Sequence, residues 1–190
     1  MELILASQSP RRKEILSLLN IPFKIMVSNA EESIDADFPP YFTAEKLSLE
    51  KAADVAKNVS GHAIVIGADT IVVHEGKILG KPKDAEDAAA MLKSLSGDWH
   101  SVISGVTVMD TATAKSESFY VETKVHFIAL NDKEIADYIA SGEPMDKAGA
   151  YGIQAKGGKF VDKIEGDYFN VVGLPLCKLY QVLKKEFNIF

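Results

Sequence analysis

Cysteine is almost missing from this chain: Cys177 is the only one in 190 residues. A lone thiol excludes an internal disulfide and any zinc site built from several cysteines. Histidine is nearly as scarce, with four copies and no pair at metal-ligand spacing. No apolar run approaches the roughly 20 residues that cross a bilayer. The opening Met1-Glu-Leu-Ile-Leu5 lacks the basic start of a secretory leader. These absences lead to the expectation of a soluble, cytoplasmic protein. Positive charge is also in deficit, with 21 Lys and Arg against 27 Asp and Glu and a formal net charge of −6. That balance argues against a nucleic-acid polymer as partner. Repeats, low-complexity tracts and linker-like segments are absent as well.

What is present is globular. Apolar residues make up 47% and charged residues 25%, and the length suits one domain, or one domain with a smaller lobe. The most apolar stretch runs from Ala63 to Val73. Its β-branched composition reads as a strand buried on both faces. Gly67-Ala68-Asp69-Thr70 interrupts it with a carboxylate, which inside a core needs a partner, a metal ion or a proton. Two readings stand side by side. In one, Gly67 bends the chain and Asp69 bonds its own backbone in a turn; in the other, the small residues let a ligand approach closely.

Leu3-Ile-Leu-Ala6 reads as a strand, followed directly by Ser7-Gln-Ser-Pro-Arg-Arg12. Ser9 is an N-cap residue and Pro10 suits the first helical position, so a helix starts here, with Ile15, Leu16, Leu18 and Leu19 as its apolar face. Arg11 and Arg12 then lie in the first turn, the wrong end of a helix dipole for cations. Free N–H groups beside misplaced cations suit a phosphate. Ile21 to Val27 reads as a second strand, and an acidic loop follows. With phosphate bound at the arginines, Glu31 or Glu32 could hold a divalent metal through oxygen.

Thr43 is the expected cap of a helix running to about Lys57, with Ala44, Leu47, Ala52 and Val55 inward. Lys51, four residues from both Leu47 and Val55, shares that apolar face. It either snorkels to the surface or points into a cleft as a phosphate ligand. His74 to Lys77 is a turn, and Lys81 sits isolated between a strand and Pro82. Asp84 caps a helix that ends at Ser96-Gly97. Trp99–Met109 and Phe119–Leu130 read as a long hairpin whose second strand alternates apolar and polar residues, with His100 and His126 as ordinary sheet residues. Asn131 and Glu134 form a capping box. Residues 141–154 read as an ordered loop lining a site, in which Gln154 offers both a donor and an acceptor for a base edge. Strands are expected at Lys159–Ile164 and Tyr168–Val172, and Pro175 opens a C-terminal helix.

Six of these pieces together resemble the Maf family of nucleoside triphosphate pyrophosphatases. They are Ser7-Gln-Ser-Pro-Arg-Arg12, Gly67-Ala-Asp-Thr70, Leu79-Gly-Lys-Pro82, Ser141-Gly-Glu-Pro144, Asp146-Lys-Ala-Gly-Ala-Tyr-Gly-Ile-Gln154 and Gly166-Asp-Tyr-Phe-Asn-Val-Val-Gly-Leu-Pro175. The set spans nearly the whole chain. The resemblance implies an α/β fold like that of the inosine triphosphate pyrophosphatases: an elongated mixed sheet with flanking helices, and a cleft between two lobes of a single domain, residues 1–190. It implies cleavage between the α and β phosphates, giving a monophosphate and pyrophosphate. The segment Lys147 to Gln154 resembles the branch of the family that acts on dTTP and UTP.

By the same resemblance Asp69 accepts the proton of the attacking water, and Arg11, Thr70 and Gln154 select the base. Ser7, Arg12, Lys51 and Lys81 fall where the family gathers phosphate ligands, and Glu32 where it has an acidic residue that could bind metal. A divalent cation, Mg²⁺ or Mn²⁺, is expected for the phosphate charge, and Asp69 could equally be a ligand to it. A homodimer is consistent with the family. The competing reading is a nucleotide-binding regulator of septum formation without turnover, which Asp69 argues against, since binding alone would do better without another anion near the phosphates. A phosphohydrolase releasing inorganic phosphate is a third.

Overall fold

A computed structural model describes residues 1–30 and 38–190. Glu31 and Glu32, including the expected metal residue, lie outside the described residues. The fold is α/β. Seven strands form one mixed sheet: β1 (Glu2–Leu5), β2 (Lys24–Ile25), β3 (Ala63–His74), β4 (Lys77–Leu79), β5 (Trp99–Asp110), β6 (Ser116–Phe127) and β7 (Val161–Glu165). Their order is β2-β1-β3-β5-β6-β7, with β4 paired on β3. β1 runs parallel to β2 and β3, while β4 and β7 are antiparallel to their neighbours. The helices are α1 (Pro10–Ser17), α2 (Pro40–Ala56), α3 (Ala85–Leu95), α4 (Asp132–Ala140), α5 (Tyr168–Val172) and α6 (Leu176–Phe187). No helix among the described residues is long and apolar enough to cross a membrane.

The chain divides into two compact units. The first comprises residues 1–69, 104–121 and 173–190. In its core, Ile4, Ala6, Ala63 and Val65 pack on Ala52 and Val55 of α2. Glycine decides how close that helix comes. A Cβ on Gly67 would lie 2.2 Å from the Ser48 carbonyl oxygen and 2.7 Å from the Ala52 nitrogen, and one on Gly105 would lie 2.1 Å from the Ala44 carbonyl oxygen. Only residues without side chains let the α2 backbone rest on the sheet at both points.

The second unit comprises residues 70–103 and 122–172. Its core gathers Val72, Leu92, Leu95, Val102, Phe127, Ile135, Tyr138, Tyr151 and Phe160. Phe127, Tyr138 and Phe160 are almost fully buried, and each such large side chain contributes about 1.5–3 kcal/mol by leaving water. α4 opens with the expected capping box, both the Asn131 and the Glu134 bonds being present. Residues 141–160 follow as three short 3-10 turns around Gly142 and Gly149, whose φ angles are +74° and +67°.

Several expectations need correction. β3 is continuous, so Gly67 makes no turn; its role is close packing. α2 starts earlier than expected, with Pro39 at the cap position, and the Thr43 hydroxyl donates back to the Pro39 carbonyl instead of capping. The second strand shrinks to Lys24–Ile25. Leu18 is exposed, leaving Ile15 and Leu16 as the buried face of α1. Tyr168–Val172 is a short helix and not a strand. Asp167 starts it by accepting the Phe169 amide at 2.8 Å, and buried Asn170 donates to the Val102 carbonyl and the Thr123 hydroxyl. The β-branched pair Val171-Val172 suggested a strand, and these local and tertiary bonds overrode that propensity.

Candidate active site

Within the first unit, the end of β1 and the start of α1 form one group. Leu5 pairs with Ile66, so β1 stops three residues short of Asp69 on the neighbouring parallel strand. Beyond it, Ser7 is buried and its hydroxyl accepts the Ser9 amide at 3.2 Å. Ser9 caps α1 by accepting the Arg12 amide, and Pro10 takes the first position, as expected. Arg12 then folds back: Nε donates to the Gly173 carbonyl at 2.9 Å and Nη1 to the Ser7 hydroxyl at 3.4 Å. Ser7 and Arg12 are therefore brought together beside a helix N-terminus, the arrangement that holds phosphate. Arg11 is half-buried in the same turn.

The second group is an ion pair. Lys51 Nζ lies 2.5 Å from Asp69 Oδ1, with side chains only 14% and 11% exposed. The apolar-face position of Lys51 thus resolves against snorkelling. Its ammonium is held by the strand carboxylate, and the partner that a buried Asp69 requires is this lysine. Oδ2 of Asp69 takes no hydrogen bond from any described residue. One oxygen is fixed while the other remains able to accept a proton or meet a cation.

Three candidates belong to the second unit. Thr70 is half-buried on β3, and Lys81 is exposed just past β4. The Gly149 amide donates to the Gly80 carbonyl at 3.1 Å, tying the 141–160 segment to the strand end beside Lys81. Gln154 is exposed in a turn closed by the Ala155 amide on the Gly152 carbonyl at 3.3 Å. Its side-chain amide makes no hydrogen bond to any described residue, so donor and acceptor are both open. Two surface cavities, of about 430 Å³ near Trp99 and Lys124 and about 600 Å³ near Pro22 and Phe23, include none of these residues.

Sequence reasoning missed two residues beneath Gln154. Glu143 and Tyr138 bond each other and the backbone on either side of it. Burial raises the Glu143 pKa, but bonds from Tyr138, Gly157 and Lys156 outweigh it, and the carboxyl ends below its usual range. Burial, reinforced by that carboxylate, pushes the Tyr138 phenol well above its usual value. The available signal was Glu143 itself, a carboxylate between Gly142 and Pro144 in the segment expected to line a site. Among the described residues no three His, Cys, Asp or Glu side chains cluster as a metal site.

The family model described as Maf-like protein matches residues 2–186. A protein of Alkaliphilus metalliredigens named dTTP/UTP pyrophosphatase is 54% identical over 187 residues, covering 98% of this chain and 97% of its own. Proteins of the same name from Thermoanaerobacter pseudethanolicus and Bacillus cereus are 52% and 51% identical, covering 100% and 99% of this chain and 98% and 96% of their own. Among solved structures, the Ham1 protein of Staphylococcus aureus is a remote likeness: TM-score 0.45 and 12% identity, over 67% of this chain and 72% of that one.

Proposed function

Because the chain belongs to the Maf-like protein family, we propose that it is a dTTP/UTP pyrophosphatase, a hydrolase acting as one nucleotide-processing domain. The observation that carries this reading is full-length identity above one half to a protein of that name. Asp69, held by Lys51, supports turnover over binding alone, since binding would do better without another anion near the phosphates. Its substrate is a nucleoside triphosphate, in keeping with the net negative charge that disfavours a polymeric nucleic acid, and its setting is the cytoplasm.

In the reaction, a water oxygen bonds to phosphorus at the α–β junction and the bridging P–O bond breaks. The nucleoside monophosphate and pyrophosphate separate. Asp69 takes the water proton on Oδ2 while Lys51 holds Oδ1. A carboxylate so held is a weak base, and its contribution comes from placement. Ser7, Arg12, Lys51, Lys81 and the N-terminus of α1 meet the phosphate oxygens and stabilise charge that builds on the leaving group. Arg11, Thr70 and Gln154 select the base: the Gln154 carbonyl accepts from pyrimidine N3–H and its amide donates to O4. Cytosine presents the reverse pattern at position 4 and is rejected.

The open Oδ2 of Asp69 is a hard oxygen donor that suits a divalent cation. Mg²⁺ or Mn²⁺ held by Glu32 and the substrate would neutralise triphosphate charge, with Asp69 a ligand to it only in the alternative in which it is not the base. The test is hydrolysis of a nucleoside triphosphate panel with Mg²⁺ or Mn²⁺, resolving pyrophosphate from phosphate. Pyrophosphate chiefly from dTTP and UTP is expected. Pyrophosphate mainly from purine nucleotides would remove the base assignment, inorganic phosphate would remove the reaction, and binding without turnover would favour the regulator.

A further inference from the structure

We propose that Glu143 and Tyr138 are positioning residues for base selection: together they clamp the turn that carries Gln154. The inference rests on the pyrimidine-selecting function proposed for Gln154 and extends it to residues that touch no substrate.

The geometry is a closed set of bonds within one unit. The Tyr138 hydroxyl, projecting from α4, donates to Glu143 Oε1 at 2.8 Å and accepts the Gly152 amide at 3.2 Å. Glu143 Oε1 also accepts the Gly157 amide, and Oε2 the Lys156 amide, both at 3.2 Å. The turn is thus tied two residues before Gln154 and two and three residues after it, to two side chains bonded to each other. Lys147 closes the base of the loop by donating to the Glu143 carbonyl at 2.7 Å.

Steric fit confirms how tightly the turn sits. A Cβ on Gly157 would lie 2.6 Å from the Tyr138 hydroxyl and 2.9 Å from the Gly152 carbonyl oxygen. One on Gly158 would lie 2.4 Å from the Ile153 carbonyl oxygen. The anchor is itself rigid, since the Tyr138 ring packs edge-on against Phe160 at 5.1 Å between centroids. Gln154, by contrast, has no side-chain partner among the described residues to hold it. Whatever order its amide has before a base arrives comes from the backbone beneath it. A base reader loses discrimination when its donor and acceptor can move to suit the wrong edge, so ordering this turn acts on selectivity.

Two variants test this. Glu143→Gln keeps the shape but sets an amide donor against a backbone amide. Tyr138→Phe keeps the packed ring and removes the hydroxyl. In each, kcat/KM for dTTP is expected to fall about tenfold, the equivalent of about 1.4 kcal/mol, with the change falling more on KM than on kcat. The dTTP:dCTP ratio should drop with it. Amide hydrogen exchange at Gly152, Lys156 and Gly157 should accelerate while the strands stay protected. The double variant should be little worse than either alone, because both cut one network. Wild-type enzyme that releases no pyrophosphate from any pyrimidine triphosphate refutes the function itself. Active wild-type enzyme whose variants keep its selectivity, or keep exchange protection in the turn, refutes the clamp alone. Should Glu143→Gln fail to fold, Tyr138→Phe decides by the same two readouts.

Discussion

Lys51 reaches within 2.5 Å of Asp69 because Gly67, two residues earlier on the same face of β3, has no side chain to hold α2 away. The site's ion pair is therefore a consequence of packing. Gly67→Ala places a methyl group 2.2 Å from a helix carbonyl oxygen, and backbone cannot yield as a flexible side chain does. The expected cost is about 3 kcal/mol, the upper range for overpacking. Urea denaturation measures it, and kcat should fall at the same time because Lys51 moves with the helix. A variant of wild-type stability would show that the close approach is not needed.

Asp69→Asn removes the proton acceptor but leaves an oxygen for Lys51. Turnover should fall by about 10²–10⁴-fold, the range of a lost general base, while nucleotide binding persists. Isothermal titration beside a pyrophosphate assay separates the two. Retained turnover would exclude Asp69 as base.

Stability should fall with acid because of His100. Its Nε2 lies 2.8 Å from the Tyr151 hydroxyl, and Nδ1 has no hydrogen-bond partner among the described residues. Burial, with a smaller contribution from nearby His74, lowers its pKa from 6.5 to about 4. Between those values the unfolded chain binds a proton that the folded chain refuses. Stability contributed by the neutral ring is therefore complete above pH 6.5 and is lost as pH falls toward 4. At pH 5 the loss is about 2 kcal/mol. Denaturation of wild type and His100→Gln at pH 7 and pH 5 checks this: the variant is less stable at pH 7, and the gap should narrow by that amount at pH 5.

Gln154→Glu replaces the amide donor with an acceptor. Loss of the bond to O4, with two acceptors set against each other, should lower kcat/KM for dTTP and UTP by about 100-fold or more. Relative activity on dCTP should rise, since a carboxylate accepts from the cytosine amino group. An unchanged substrate profile would remove Gln154 from base reading.

Much of this was legible before the structure. Ser9 and Pro10 announced α1, Asn131 and Glu134 announced α4, and periodicity put Lys51 on the buried face of α2. Each signal is local, carried by residues within about one helical turn. The rest has a different origin. Tyr168–Val172 looked like a strand until Asn170 found Val102 and Thr123, residues 68 and 47 positions away. At Gly67 the sequence left a bend and a close approach as alternatives, and the packing of α2 against it decides for close approach, by a helix backbone.

Most element types, the family, and the polar residues placed where burial makes them costly can be read from the residues in order along the chain. Only the tertiary structure decided their partners: Lys51 with Asp69, Arg12 with Ser7 and the Gly173 carbonyl, Glu143 with Tyr138 and the turn around Gln154. The reason is physical. Propensity and capping act along a few residues of chain, whereas a buried charge or amide is satisfied by whatever packing brings within 3 Å, and sequence distance does not enter.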